Sequence, residues 1–193
     1  DRTVYISYAW GDDTQEGQAR REAVEAAIAH LRQQRYNVVV DREHMRPGDL
    51  ISDFITKIAR GRNVFAILSE KYLKSDYCVR EMYELYCRCG QRPEEFQQRV
   101  YPIVLSDAKL QDDEQLDRYT NHWEDIRRNR NRRYRHSSQG RVLEDDQIGH
   151  WIEIMGKVFG LLSDHLSAPV ADNNLGAIST RIQEFLKNRP ALS

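Results

Sequence analysis

The chain reads as an α/β protein built on a doubly wound parallel sheet, and three observations carry that reading. Apolar runs of strand length alternate with segments of helical period through the first half of the sequence. The runs are apolar at nearly every position, the pattern of strands covered on both faces. The length, 193 residues, suits one such sheet with its helices and an appended helical piece.

The elements follow in order. The first strand is Thr3-Val4-Tyr5-Ile6-Ser7-Tyr8. A polar, acidic stretch near residue 14 then opens a helix whose apolar face is Ala23, Val24, Ala27, Ile28 and Leu31. The second strand, 36–41, ends at Asp41. Pro47-Gly48 breaks the chain, and Asp49 caps a helix with Leu50, Ile51, Phe54, Ile55 and Ile58 on one face. Gly61 stops that helix. Strand three (63–68) is followed by a helix over about 76–89, and strand four spans 100–105. Pro102 inside the fourth strand points to a sheet edge. Right-handed crossovers leave few arrangements, and the natural one is the flavodoxin-like order 2-1-3-4. No fifth strand is clearly patterned.

The character changes at residue 106. The segment 106–146 is a polar, Arg-rich excursion, with Arg127, Arg128, Arg130, Arg132, Arg133 and Arg135 inside nine positions. It reads as a solvated helix-and-loop segment balanced by flanking acids. Within the arginine run, 127–135, Tyr134 is the one interleaved aromatic, so single-strand nucleic-acid stacking has little support. A strong amphipathic helix, 147–166, presents Trp151, Met155, Val158, Leu162 and His165, and Pro169 ends it. Ile178, Ile182, Phe185 and Leu186 mark a last helix. We divide the chain into a main α/β domain, 1–168, and a C-terminal helical extension, 169–193, packed on it.

Composition narrows the function classes. The 29 basic and 30 acidic residues give a net charge of −1, so bulk electrostatics argues for neither nucleic acid nor an anionic membrane. The apolar runs are too short to span a bilayer, and no signal peptide is visible before the first strand. Three cysteines, Cys78, Cys87 and Cys89, form no disulfide framework. Cys-x-Cys without two further ligands is no zinc site, so no metal is expected. The expected compartment is cytoplasmic, with all three thiols reduced.

Three segments carry the functional signal. "YISYAWGDD" closes the first strand, "MRPGD" follows the second, and "LSEKYLKSDYCVRE" leads from the third strand into its helix. In that order and spacing they resemble the boxes of a Toll/interleukin-1 receptor (TIR) domain, well over residues 3–105 and weakly beyond. In a helix, Glu81 shares a side with Tyr77 and Cys78 and borders the stripe Cys78, Met82, Leu85, Tyr86. It is either the rim of a solvated face or a carboxylate held in a half-buried pocket.

Fold logic sends these segments to one place. In an open parallel sheet, ligands bind beyond the carboxyl ends of the strands where the winding switches. Strand one delivers Tyr8, Ala9 and Trp10 to that crevice, strand three delivers Ser69, and the following helix delivers Tyr77 and Glu81. Aromatic rings offer stacking for a base or a pyridinium. A lone glutamate suits cleavage of a glycosidic bond whose leaving group is already cationic. Nicotinamide in NAD⁺ is such a group, and it departs without a general acid.

The TIR resemblance implies the same activity, since many such domains are NAD⁺ nucleosidases whose helix glutamate matches Glu81. NAD⁺ is then a substrate, and no cofactor is expected. Tyr77 stands where family members often carry Trp, and "YAW" replaces a common basic continuation. The loop Met45, Arg46, Pro47, Gly48 matches a self-association surface, which implies a homo-oligomer formed by TIR–TIR contacts. A sensor or effector partner and an immune, cell-death or antiphage setting belong to the same expectation.

Several residues stay open on sequence alone. Asp41 is a loop cap or a ribose contact, and Trp10 is a site residue or loop packing. His122-Trp123 borders the crevice or anchors the excursion to the core. His44 is assigned no catalysis, and His150-Trp151 reads as helix packing. Two rivals stand beside the nucleosidase: a non-enzymatic TIR scaffold that signals by assembly, and a nucleoside 2-deoxyribosyltransferase-like enzyme.

Overall fold

The computed structural model describes residues 2–9, 14–40, 58, 61–133, 145–163 and 169–188. Four strands, β1 (Thr3–Tyr8), β2 (Asn37–Val40), β3 (Val64–Leu68) and β4 (Val100–Val104), form one sheet in the order β2-β1-β3-β4. All three pairings are parallel. This is the flavodoxin-like arrangement expected from the apolar runs. In the β3–β4 ladder Ala66 faces Pro102, and β4 is the edge strand, where a residue without an N–H is tolerated. Beyond it, among the described residues, a single parallel bridge from Leu105 to Val170 stands where a fifth strand would pair.

The sheet is covered on both faces because side chains alternate along each strand. Val4, Ile6 and Tyr8 of β1 join Phe65, Ile67 and Ile103 in one core. Helix α1 (Gln15–Gln33) covers it with Val24, Ala27, Ile28 and Leu31. The last helix, Ala177–Asn188, adds Ile178 and Ile182 to the same core. On the other face Val64, Ala66 and Leu68 pack with α2 (Glu70–Leu73) and α3 (Asp76–Arg88). Helix α4 (Pro93–Arg99) contributes Phe96 there.

Local chemistry fixes where the helices near the strand ends begin. Thr14, Ser69 and Ser75 are N-caps, each accepting from a backbone N–H three residues on, at 3.1, 3.1 and 3.4 Å. Such caps each stabilise a helix start by about 1 kcal/mol. They aim the first turns of α1, α2 and α3 at the carboxyl end of the sheet. Gly61 has a packing reason: a Cβ there would lie 2.7 Å from the Tyr5 ring. The helix it was expected to stop, from Asp49 on, lies outside the described residues apart from Ile58.

The polar segment after residue 106 differs from the solvated excursion its composition suggests. Its first half is helix α5 (Asp113–Arg133), and Tyr119 and Trp123 on that helix are fully buried. Two aromatics one turn apart are enough to dock a helix whose other faces are charged. The Trp123 indole donates to the Leu73 carbonyl at 3.0 Å, which settles Trp123 as an anchor. Helix α6 (Asp145–Ser163) packs beside α5 through Trp151, Met155, Val158 and Leu162. His165 lies outside the described residues. The last helix, α7, is Ala177–Asn188. No helix among the described residues is long and apolar enough to cross a membrane.

Candidate functional site

The site is built from three elements that meet at the carboxyl end of the sheet. Alternation along β1 sends Tyr8 to the α1 face and Ser7 to the opposite face, toward α2 and α3. Helix α3 turns Glu81 inward with Cys78, Val79, Met82 and Leu85. Glu81 is 2 % exposed, so the solvated-rim alternative does not hold. The Ser7 hydroxyl donates to Glu81 Oε2, and its oxygen lies 2.8 Å from the Tyr72 hydroxyl. Ser7 and Tyr72 are buried as well.

Sequence patterning did not single out Ser7 or Tyr72. A serine inside an apolar strand and a tyrosine two residues past a cap both pass as packing. The signal that finds Ser7 is strand parity: it breaks the apolar run on the same face to which α3 delivers Glu81.

The remaining expected residues distribute as follows. Ala9 is half-buried and packs against the core on the Glu81 face. Ser69 is buried, with its hydroxyl committed to capping α2. Tyr77, one turn before Glu81, is 43 % exposed at the surface. Trp10, Asp41, Met45, Arg46, Pro47 and Gly48 lie outside the described residues. Tyr8 is brought near the crevice but not to Glu81's side of the sheet.

Tyr8 instead lines a cleft of about 410 Å³ on the α1 face. Ala9, Ser69, Arg20, Arg21, Lys71 and Asp107 share it. Its charges are largely matched. Arg20 binds Asp107 at 2.8 Å and Asp172 at 2.8 Å. Burial works against the Arg20 charge, but hydrogen bonds and the charges of Asp172 and Asp107 outweigh it and raise its pKa. Lys74 pairs with Glu70 one turn away at 2.5 Å. A ligand touching both Tyr8 and Glu81 would therefore lie across the end of the sheet, over Ala9 and Ser69.

Titratable groups farther from the crevice follow burial. Desolvation lowers the His122 pKa, although its hydrogen bond to the Lys74 backbone opposes this. Burial pushes the thiols of Cys87 and Cys89 up, the direction of inert rather than nucleophilic cysteines. His150 takes part in packing, its ring 5.5 Å from that of Tyr83 and its Nδ1 2.9 Å from the Tyr83 hydroxyl. Among the described residues no group of three or more His, Cys, Asp or Glu side chains is placed to hold a metal ion.

No curated protein sequence matches the chain. Among solved structures, it is similar to the TIR domains of the activated Roq1 resistosome, which directly recognises the pathogen effector XopQ. That likeness has a TM-score of 0.57 at 20% identity and covers 96% of this chain and 98% of that one. At such identity it speaks to the fold. The family model for the TIR domain matches residues 4–138, a span that holds all four strands but for Thr3 at the start of β1, α1 to α5, and Ser7, Tyr72 and Glu81. The chain therefore belongs to the TIR-domain family.

Proposed function

We propose that the protein cleaves the nicotinamide–ribose bond of NAD⁺, as a hydrolase or a cyclase, with Glu81 as the catalytic carboxylate. The observation that carries the proposal is a glutamate 2 % exposed at the switch point of the sheet, held by a hydroxyl from the neighbouring strand. Buried carboxylates are costly, and they concentrate at functional sites.

The chemistry fits one carboxylate. The bond between C1′ and the pyridinium nitrogen breaks, and its electron pair neutralises the departing nicotinamide. The ribosyl group becomes oxocarbenium-like. A fixed negative charge facing it stabilises that cation more than it stabilises ground-state NAD⁺. Water, or a nucleophile on the same ADP-ribosyl chain, then attacks C1′ and closes the reaction. Ala9, Ser69 and Tyr77 border the path across the strand ends. Trp10 and Asp41 are assigned to substrate binding by sequence position.

The proposal extends to assembly and setting. The loop Met45-Arg46-Pro47-Gly48 joins copies of the chain, and the oligomer acts in a cytoplasmic immune, cell-death or antiphage pathway, beside a sensor or effector. The resistosome context of the Roq1 TIR domains supports that setting. Incubation with NAD⁺ over a range of protein concentrations, with products identified by mass spectrometry, tests both parts. Free nicotinamide with ADP-ribose or a cyclic isomer is the expected outcome, with a rate rising more steeply than protein concentration. NAD⁺ left intact at every concentration would defeat the enzymatic reading. A rate strictly proportional to protein down to dilute monomer would defeat the assembly part.

A further inference from the structure

We propose that Tyr72 and Ser7 form a two-hydroxyl relay that orients Glu81 and holds it as a carboxylate, making both of them positioning residues for the reaction. The inference rests on the reading of Glu81 given above and names the regulation of its charge. Three elements converge to build the relay: β1 supplies Ser7, α2 supplies Tyr72, and α3 supplies Glu81. The residues are 1 %, 1 % and 2 % exposed. A polar group buried so completely is costly unless its hydrogen bonds are made.

The proton count fixes the polarity. An ionised carboxylate only accepts, so the single Ser7 proton points to Glu81 Oε2. The Ser7 oxygen is then left to accept, and the Tyr72 hydroxyl 2.8 Å away is the donor. Hydrogen bonds in series polarise one another, so Tyr72 makes Ser7 a stronger donor and favours the charged form of Glu81. A Glu81 protonated on Oε2 would donate to Ser7 and free the Ser7 proton to point at Tyr72. On α3 itself Tyr77 is at the surface, Cys78 is buried one turn before Glu81, and Arg80 and Glu84 pair with each other at 3.9 Å.

Two anchors hold the relay from behind. The Ser69 cap fixes the Tyr72 backbone N–H at 3.1 Å. Trp123 holds the carbonyl of Leu73, the next residue, at 3.0 Å. The backbone that carries the phenol is thereby fixed on both sides.

The test separates this inference from the NAD⁺ reading. The Glu81 side-chain carboxyl is followed by carbon NMR over pH in the full chain without substrate, assigned by its loss in Glu81→Gln. Ser7→Ala, Ser7→Thr and Tyr72→Phe are compared with the parent protein, with circular dichroism confirming the fold. The titration midpoint of Glu81 is expected to rise in Ser7→Ala and, by less, in Tyr72→Phe, and to return toward the parent value in Ser7→Thr. With NAD⁺, kcat should fall about tenfold in Ser7→Ala, the scale of one donor to a charged group. KM should change far less. An unmoved midpoint in folded Ser7→Ala and Tyr72→Phe would overturn the relay. Shifted midpoints in a protein that leaves NAD⁺ intact would keep the relay and remove the nucleosidase.

Discussion

The two faces of the sheet end differently at the carboxyl edge. On the α1 face the cleft is open, and its charges stand in pairs: Arg20 with Asp107 and Asp172, Lys74 with Glu70. On the α3 face a carboxylate is withdrawn from solvent and held by the Ser7 hydroxyl, with Tyr72 behind it. Exposed or half-exposed ion pairs cost little and contribute little. A buried carboxylate costs several kcal/mol of desolvation before its hydrogen bonds are counted. The contrast separates a face whose charges are paired near solvent from one that buries a carboxyl group among hydroxyls.

Four outcomes sharpen or break that contrast. The largest is on the α3 face. Trp123→Ala removes a fully buried indole and its bond to Leu73, and should destabilise by about 3–5 kcal/mol in chemical denaturation. A loss below about 1 kcal/mol would mean that α5 does not anchor the relay's support.

On the α1 face Arg20→Met should cost only about 1 kcal/mol, and the cost should shrink as salt is added. A salt-independent loss as large as that of Trp123→Ala would erase the distinction between the faces.

The third outcome concerns alkaline pH. Burial pushes Tyr119 up to about 12 while its hydroxyl donates to the Ala108 carbonyl at 2.8 Å. A folded pKa above the unfolded value of about 10 means stability fully present below pH 10 and lost as pH climbs toward 12. Tyr119→Phe should flatten that alkaline decline in a melting series, with Tyr83, also raised to about 12 by burial, and Tyr86, Cys87 and Cys89, raised by burial as well, supplying what remains.

The smallest is acidic. His122 has its pKa lowered by burial, so the unfolded chain binds its proton first. Its contribution is present above pH about 6.5 and falls away as the solution is acidified toward the folded pKa. His122→Asn should lessen the slope of melting temperature against pH between about 7 and 5. An unchanged slope would remove His122 from the acid response.

Much of the fold was legible because strand runs and helix faces are set by burial alone. Val64 to Leu68 is apolar without interruption, which only a strand covered on both faces requires. Val24, Ala27, Ile28 and Leu31 marked the buried face of α1 before any coordinates. Helix α5 was harder to read, since Tyr119 and Trp123 are diluted among charges and their burial depends on a surface from distant segments. The site was half legible. Glu81 stood out by position, but whether it faced water or the core depended on how α3 is rolled against β1. Ser7 and Tyr72 lie 65 residues apart, and no local pattern announces a contact across that distance. Tyr8 lines the cleft on the α1 face, and strand parity puts it on the far face from Glu81.

Replacement of Glu81 by glutamine tests the central claim most directly, read by NAD⁺ turnover and by melting temperature on the same preparation. The amide keeps the shape and removes the charge that opposes the ribosyl cation. Turnover is expected to fall by roughly a hundredfold or more, with a smaller change in KM and a melting temperature that holds or rises as the buried charge is relieved. A Glu81→Gln protein that turns over NAD⁺ as fast as its parent would contradict the account and place the catalytic charge elsewhere.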